Sequence, residues 1–142
     1  MVDSKKMKKK ITIFGSSGFV GANVAESIDL SKYKVTLFDL KINKYLNNKK
    51  YNFINNDIME PKKVDEAIRG SDYVFNFAGQ AGIDESNLKI KDTINSNLIG
   101  NINILNSCKK FNVKKFIYAS SMYVFGKYGG VYKISKLSSE EL

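Results

Sequence analysis

Three groups of residues in this 142-residue sequence have types and spacing suited to chemistry. Tyr132 and Lys136 stand four apart, so on a helix both side chains project from one face. An ammonium beside a phenol favours the phenolate, the form in which a tyrosine acts as a base near neutrality. Taken alone the pair is an ordinary feature of an amphipathic helix, and it gains meaning from following an apolar run and Ser120-Ser121. The second group is Gly15-Ser-Ser-Gly18-Phe-Val-Gly21, directly after another apolar run. Gly15 allows a tight turn, Gly18 lets backbone approach a pyrophosphate at the positive end of a helix, and Gly21 lets that helix pack closely. A Gly-rich connection can also be merely a turn. The absence of Gly-Lys-Ser/Thr removes a P-loop. The third is Asp39, 18 residues beyond Gly21 at the end of a second apolar run. A carboxylate there can hydrogen-bond adenosine ribose hydroxyls and repels the extra phosphate of NADP, which favours NAD. The bland alternative is a solvated loop acid, and Lys41 nearby bears on the cofactor choice.

The elements that must position these residues follow from periodicity. Strands are predicted over Ile11 to Phe14, Val35 to Phe38, Tyr51 to Ile54, Tyr73 to Phe77 and Phe116 to Ala119. Helices are predicted after Gly18 with Val20, Val24 and Ile28 on one face, from Pro61 to Arg69-Gly70 with Val64, Ala67 and Ile68 inward, over Thr93 to Phe111, and from Tyr132 to Leu142. Alternation of strand and helix argues for an α/β fold, a doubly wound parallel sheet in the order 3-2-1-4-5. Such a sheet binds ligands where the order reverses, here beyond the carboxyl ends of strands one and four.

Composition excludes several classes. A hydrophobic share of 43% and a charged share of 26% suit a globular chain, and no apolar stretch is long enough to cross a bilayer. The basic start, residues 1–10, precedes a single domain over 11–142 and lacks the apolar segment of a secretory signal, so a cytoplasmic protein is expected. The net charge of +9 comes from lysines spread among Asn and Ile, with Arg69 the only arginine. This resembles the codon bias of an AT-rich genome more than a base-reading surface, and no specific nucleic-acid partner is expected. With no histidine and one cysteine, the usual zinc sets and Ser-His-Asp or Cys-His catalysis are excluded and no metal is expected. Cys108 falls on the stripe Ile94, Leu98, Ile102, Leu105, Cys108, the spacing of a core residue.

The Gly15 to Gly21 pattern, Asn76-Phe-Ala-Gly79, Tyr118-Ala-Ser-Ser-Met-Tyr-Val-Phe-Gly126 and Tyr132-Lys-Ile-Ser-Lys136 occur in the order seen in the extended short-chain dehydrogenase/reductase family. Together they resemble its NAD-dependent epimerase/dehydratase group, typified by UDP-glucose 4-epimerase, from Lys10 to Leu142. The resemblance implies a Rossmann-type fold, truncated before a C-terminal substrate-binding part. It implies that Gly15, Ser17, Gly18, Phe19, Val20 and Gly21 form the pyrophosphate turn. Asp57 and Ile58 would sit at the adenine, and Phe77, Ala78 and Gly79 beneath the nicotinamide side. Ser96 would touch the cofactor, with Asn97 its mostly structural neighbour. Tyr132 and Lys136 would meet both cofactor and substrate. Ser121 would hold the substrate oxygen while Tyr132 removes its proton and hydride passes to NAD.

Two departures qualify the resemblance. Members that dehydrate sugars carry Asp-Glu directly after the active-site Ser/Thr, where this chain has Met122 and Tyr123, so epimerase or simple dehydrogenase chemistry is favoured over dehydration. Only ten residues separate Ser121 from Tyr132, and the chain ends within the predicted Lys136 helix. The expected function is that of a nucleotide-sugar epimerase-type enzyme with a UDP-hexose substrate; the alternatives are a family dehydratase or reductase and a non-catalytic NAD-binding module. Relatives that dimerise through two helices imply a homodimer interface on Thr93 to Phe111 and Tyr132 to Leu142.

Overall fold

A computed structural model describes residues 8–44, 46 and 50–142. Five strands, β1 (Lys9–Phe14), β2 (Tyr33–Asp39), β3 (Asn52–Asn55), β4 (Tyr73–Asn76) and β5 (Lys115–Tyr118), form one parallel sheet in the order β3-β2-β1-β4-β5. Ile11 to Phe14 and Val35 to Phe38 are buried without a break, as a strand covered on both faces must be. Their side chains alternate between two cores. Ile11, Ile13, Val35 and Leu37 join Ala25 of α1 (Phe19–Ser27) on one face. Phe14, Phe38 and Val74 join Val64, Ala67 and Ile68 of α2 (Pro61–Ile68) on the other, with Ile104 and Cys108 of α5 (Gly100–Lys110). The register pairs Phe14 with Phe38 and Asn76, and Asn76 with Tyr118. Gly15, Asp39, Phe77 and Ala119 therefore leave the sheet at one rim.

Several expectations shift. β1 starts at Lys9, β3 runs one residue later than expected, and α6 (Gly130–Glu140) begins before Tyr132 and ends before Leu142. Of the basic start, residues 1–7 lie outside the described residues, while Lys9 and Lys10 already belong to β1. In α1 the fully buried residues are Gly21 and Ala25; of the expected face Val24, and Ile28 just past the helix end, pack on the same core, whereas Val20 is 52% exposed. Close approach explains this: a Cβ on Gly21 would lie 2.2 Å from the Gly15 carbonyl oxygen.

The long helix expected from Thr93 is α4 (Ile90–Ile94), a π-helical turn at Asn95–Ile99 and then α5. Its buried side is Thr93, Asn97, Gly100, Asn101, Ile104, Ser107 and Cys108. Of the expected stripe only Cys108 is buried, and Ile94, Leu98, Ile102 and Leu105 are half-buried. Gly100 lets this helix approach the loop that follows β3, since a Cβ on Gly100 would meet Ile58 Cδ1 at 2.3 Å. Asn76 Nδ2 donates to Asn101 Oδ1 at 2.8 Å, while Asn101 Nδ2 is buried without a hydrogen-bond partner among the described residues. A short helix not expected from the sequence, α3 (Ile83–Leu88), packs against α6. Among the described residues no helix is long and apolar enough to cross a membrane.

Candidate active site

The chain turns sharply out of β1 at Gly15, with φ of +70°. A Cβ there would lie 2.4 Å from the Ala78 nitrogen, so only glycine fits. Gly18 is different: it caps α1 at φ −71°, and its Cβ would meet nothing closer than the Gly15 oxygen at 3.4 Å. The protein leaves the space over the start of α1 open, and the cap offers no side chain to the first-turn N–H groups. That is a cradle for an anion.

Asp39 braces this turn from the end of β2. Its Oδ2 accepts from the Ser17 backbone N–H at 2.8 Å, and its Oδ1 makes only a long 3.4 Å contact with the Lys41 N–H. One oxygen thus retains capacity for a ligand hydroxyl. At the end of β3, Asp57 Oδ1 accepts from the Met59 N–H at 2.9 Å and shapes the next loop.

A cavity of about 640 Å³ opens at the rim between these loops. Gly15, Ser17, Gly18, Asp39, Asp57, Ile58, Phe77, Ala78, Gly79 and Ser96 line it, ten of the positions picked out in the sequence. Lys41, noted for its bearing on cofactor choice, lines it as well, and so do Phe38, Leu40, Asn56, Met59, Gln80, Asp92 and Asn95, which were not picked out. Phe38, Leu40, Lys41 and Asn56 flank or follow the ends of β2 and β3. Asp92 precedes Ser96 by four residues and Asn95 by three, helical spacings that could have found Asp92 from Ser96 and Asn95 from Asp92. Phe19, Val20, Gly21, Asn97, Ser121, Tyr132 and Lys136 are not part of this wall.

Asn97 lies behind the wall, fully used. Its Nδ2 donates to the Gln80 carbonyl at 3.1 Å and to Ser135 Oγ at 3.0 Å, and its Oδ1 accepts from the Gln80 N–H at 2.6 Å and from Ser96 Oγ at 3.2 Å. Gly79 permits this, since a Cβ there would lie 2.5 Å from Asn97 Oδ1. One buried amide on the π turn, a feature frequent at functional sites, so joins the cavity wall to the helix that carries Lys136.

Tyr132 and Lys136 share one face of α6, as expected. Lys136 is buried, and its Nζ donates to the Ala119 carbonyl at 2.9 Å, just past β5. The ammonium stands 4.8 Å from the Tyr118 ring centre and 5.9 Å from that of Tyr132. Burial pushes its pKa down from 10.5 to about 8. Ser121 caps a 3-10 turn, Met122–Phe125, accepting from the Tyr123 N–H at 3.3 Å. The Tyr123 ring in turn packs edge-on against Tyr132, with centres 6.2 Å apart. The Ser121 turn and the Tyr132 helix are thereby in contact.

A doubly wound parallel sheet with a glycine turn, an acidic β2 terminus and a Tyr-Lys helix at one rim defines a Rossmann-type dinucleotide-binding unit. The model of the NAD dependent epimerase/dehydratase family matches residues 11–142, and the chain belongs to that family. It is 32% identical over 129 residues to a UDP-N-acetyl-alpha-D-glucosaminuronate decarboxylase of Bacillus cytotoxicus, covering 85% of this chain and 39% of the relative. It is 27% identical over 128 residues to a UDP-glucose 4-epimerase of Dictyostelium discoideum, covering 82% and 37%. The crystal structure of UDP-glucose 4-epimerase from Thermotoga maritima with UDP-glucose superposes with a TM-score of 0.84 at 26% identity, over 93% of this chain and 49% of that one. The chain spans about two fifths of the length of these curated relatives.

Proposed function

We propose that this chain is the cofactor-binding part of an NAD-dependent enzyme acting on a nucleotide-linked sugar, with epimerase-type chemistry on a UDP-hexose. The observation that carries the reading is the buried Lys136 ammonium held on Ala119, one helical turn from Tyr132 and joined through Ser135 and Asn97 to the cavity wall. NAD fits the residues present: the open cradle over Gly18 suits the pyrophosphate, Asp39 the adenosine ribose, and the pocket of Asp57 and Ile58 the adenine. When bound, NAD supplies the hydride acceptor.

The side chains of this chain do the rest. Ser121 holds the sugar hydroxyl by a hydrogen bond. Tyr132 takes its proton as the carbon is oxidised and returns a proton when the carbonyl is reduced from the other face. Lys136 places a positive charge beside the phenol, and its bond to Ala119 fixes that charge. Met122 and Tyr123 supply no carboxylic acid for a leaving hydroxyl, which favours epimerisation over dehydration. The half-buried Ile94, Leu98, Ile102 and Leu105 offer a second copy of the chain a helical face.

The test is turnover by the protein carrying this chain, assayed with UDP-glucose, UDP-galactose and UDP-uronic acids. Interconversion of C4 epimers, lost on Tyr132→Phe with NAD affinity retained, is expected. Release of carbon dioxide from a UDP-uronate without epimerisation would move the reading to the decarboxylase branch, and unchanged turnover in Tyr132→Phe would remove that residue from the mechanism.

A further inference from the structure

Helix α6 starts in an unusual way. Its cap, Gly129, has no side chain to offer the first N–H groups, and Gly129 and Gly130 have φ of +129° and +50°. The missing acceptor comes from another element: Asn87, near the end of α3, places its Oδ1 3.1 Å from the Val131 N–H. Val131 is the second residue of the helix, the position that an N-cap side chain ordinarily serves. The space is shared out accordingly, since a Cβ on Gly130 would lie 2.3 Å from Asn87 Oδ1 and 3.0 Å from its Cγ. On the far side of Tyr132, Lys133 Nζ donates to the Gly126 carbonyl at the end of the 3-10 turn. Tyr132 thus lies between two cross-links, one to α3 and one to the Ser121 turn.

From the juxtaposition of Asn87 with Val131 we infer that Asn87 is a positioning residue, the N-cap of α6 supplied across 44 residues of sequence, which holds Tyr132 at the height of Ser121. The catalytic consequence rests on the function proposed above; the capping role does not. Asn87 is exposed, whereas Ser86 is buried and bonded to Gly82 and Thr93, so removing the Asn87 amide leaves the packing around Ser86 intact. The segment from Gly79 to Leu88 then has two duties: its start lines the cofactor cavity and its end fixes the catalytic helix.

Asn87→Ala and Asn87→Asp separate positioning from mere packing. An aspartate keeps the acceptor and adds charge that favours a helix N-terminus, so it restores what alanine removes. In Asn87→Ala, amide exchange at Val131 and Tyr132 is expected to rise about fivefold, the worth of one cap, and the ring-current shift between Tyr123 and Tyr132 to diminish. Turnover falls about tenfold as Tyr132 moves, with NAD affinity unchanged, and Asn87→Asp recovers all three readouts. Exchange and ring shift unchanged in Asn87→Ala, or not recovered in Asn87→Asp, would overturn the inference. If the unmutated protein turns over no nucleotide sugar, the proposed function falls by itself, and exchange and ring shift alone decide the role of Asn87.

Discussion

Lys136 Nζ lies 2.9 Å from the Ala119 carbonyl oxygen, its one hydrogen bond among the described residues, and burial has taken this charge almost wholly out of water. One hydrogen bond does not replace hydration, so the ammonium pKa falls from 10.5 to about 8. Below pH 8 the folded protein carries the buried charge at a cost. Between pH 8 and 10.5 the unfolded chain binds the extra proton, so this contribution makes stability rise with pH. The full span corresponds to a gain on the order of 3 kcal/mol. Urea unfolding of the chain and of Lys136→Met at several pH values isolates it from the tyrosines. The difference between the two should change by that amount across the window, and parallel profiles would show that Lys136 is not buried as charge.

The three glycines of the turn should respond differently. Gly15→Ala forces a Cβ against the Ala78 backbone at positive φ, and Gly21→Ala against Gly15. Each should destabilise by more than about 2 kcal/mol. The Cβ of Gly18→Val makes only an ordinary contact, 3.4 Å from the Gly15 oxygen, at an ordinary φ, so stability should stay within about 1 kcal/mol while NAD affinity is lost. Thermal melts with and without NAD distinguish the two classes; a Gly18→Val chain that binds NAD normally would place the pyrophosphate elsewhere.

How much of this was readable in advance depended on which force shaped each element. β1 and β2 were plain because strands covered on both faces need unbroken apolar runs, yet β1 starts two residues early since backbone pairing of Lys9 and Lys10 continues past the apolar side chains. α3 was not legible: Ile83–Leu88 carries no apolar stripe and is fixed by contacts made through Ser86 and Asn87. On α1, Val24 and Ile28 pack on the core as expected and only Val20 does not, while on both helices the closest approach is made by Gly21, Ala25 and Gly100 rather than by the larger apolar residues. The site was more legible than its supports. Ten expected residues line the cavity, whereas the links through Asn97 to Gln80 and Ser135 depend on the π turn, which has no sequence period.

Cys108 lies in the core beside Ile104, and burial pushes its thiol up from 9.0 to about 12. The thiolate fraction at pH 8 then falls about a thousandfold below that of a free thiol. Alkylation by iodoacetamide should be correspondingly slow and should accelerate with urea in step with unfolding. Labelling of the native chain at the free-thiol rate would contradict the packing of α5 on α2.

The last expectation concerns Asp39 and cofactor choice. Asp39 Oδ2 is committed to the Ser17 N–H, while Oδ1 retains capacity toward a ribose hydroxyl in the cavity. Hydrogen bonds to a charged acceptor contribute about 1.5 to 3 kcal/mol, and a 2′-phosphate at the same place meets like charge instead. Lys41 also lines the cavity and opposes this preference by attracting the phosphate. The net result is expected to favour NAD over NADP by at least about tenfold, each 1.4 kcal/mol being a factor of ten. Asp39→Ser keeps a short polar side chain at the turn and removes the charge, so the preference should shrink toward unity with a smaller loss of NAD affinity. Lys41→Ala should move the ratio the other way by weakening NADP alone. Calorimetric titration of the chain with both cofactors measures all three ratios, and equal affinities in the unmutated chain would show that the Asp39 carboxylate does not face the ribose.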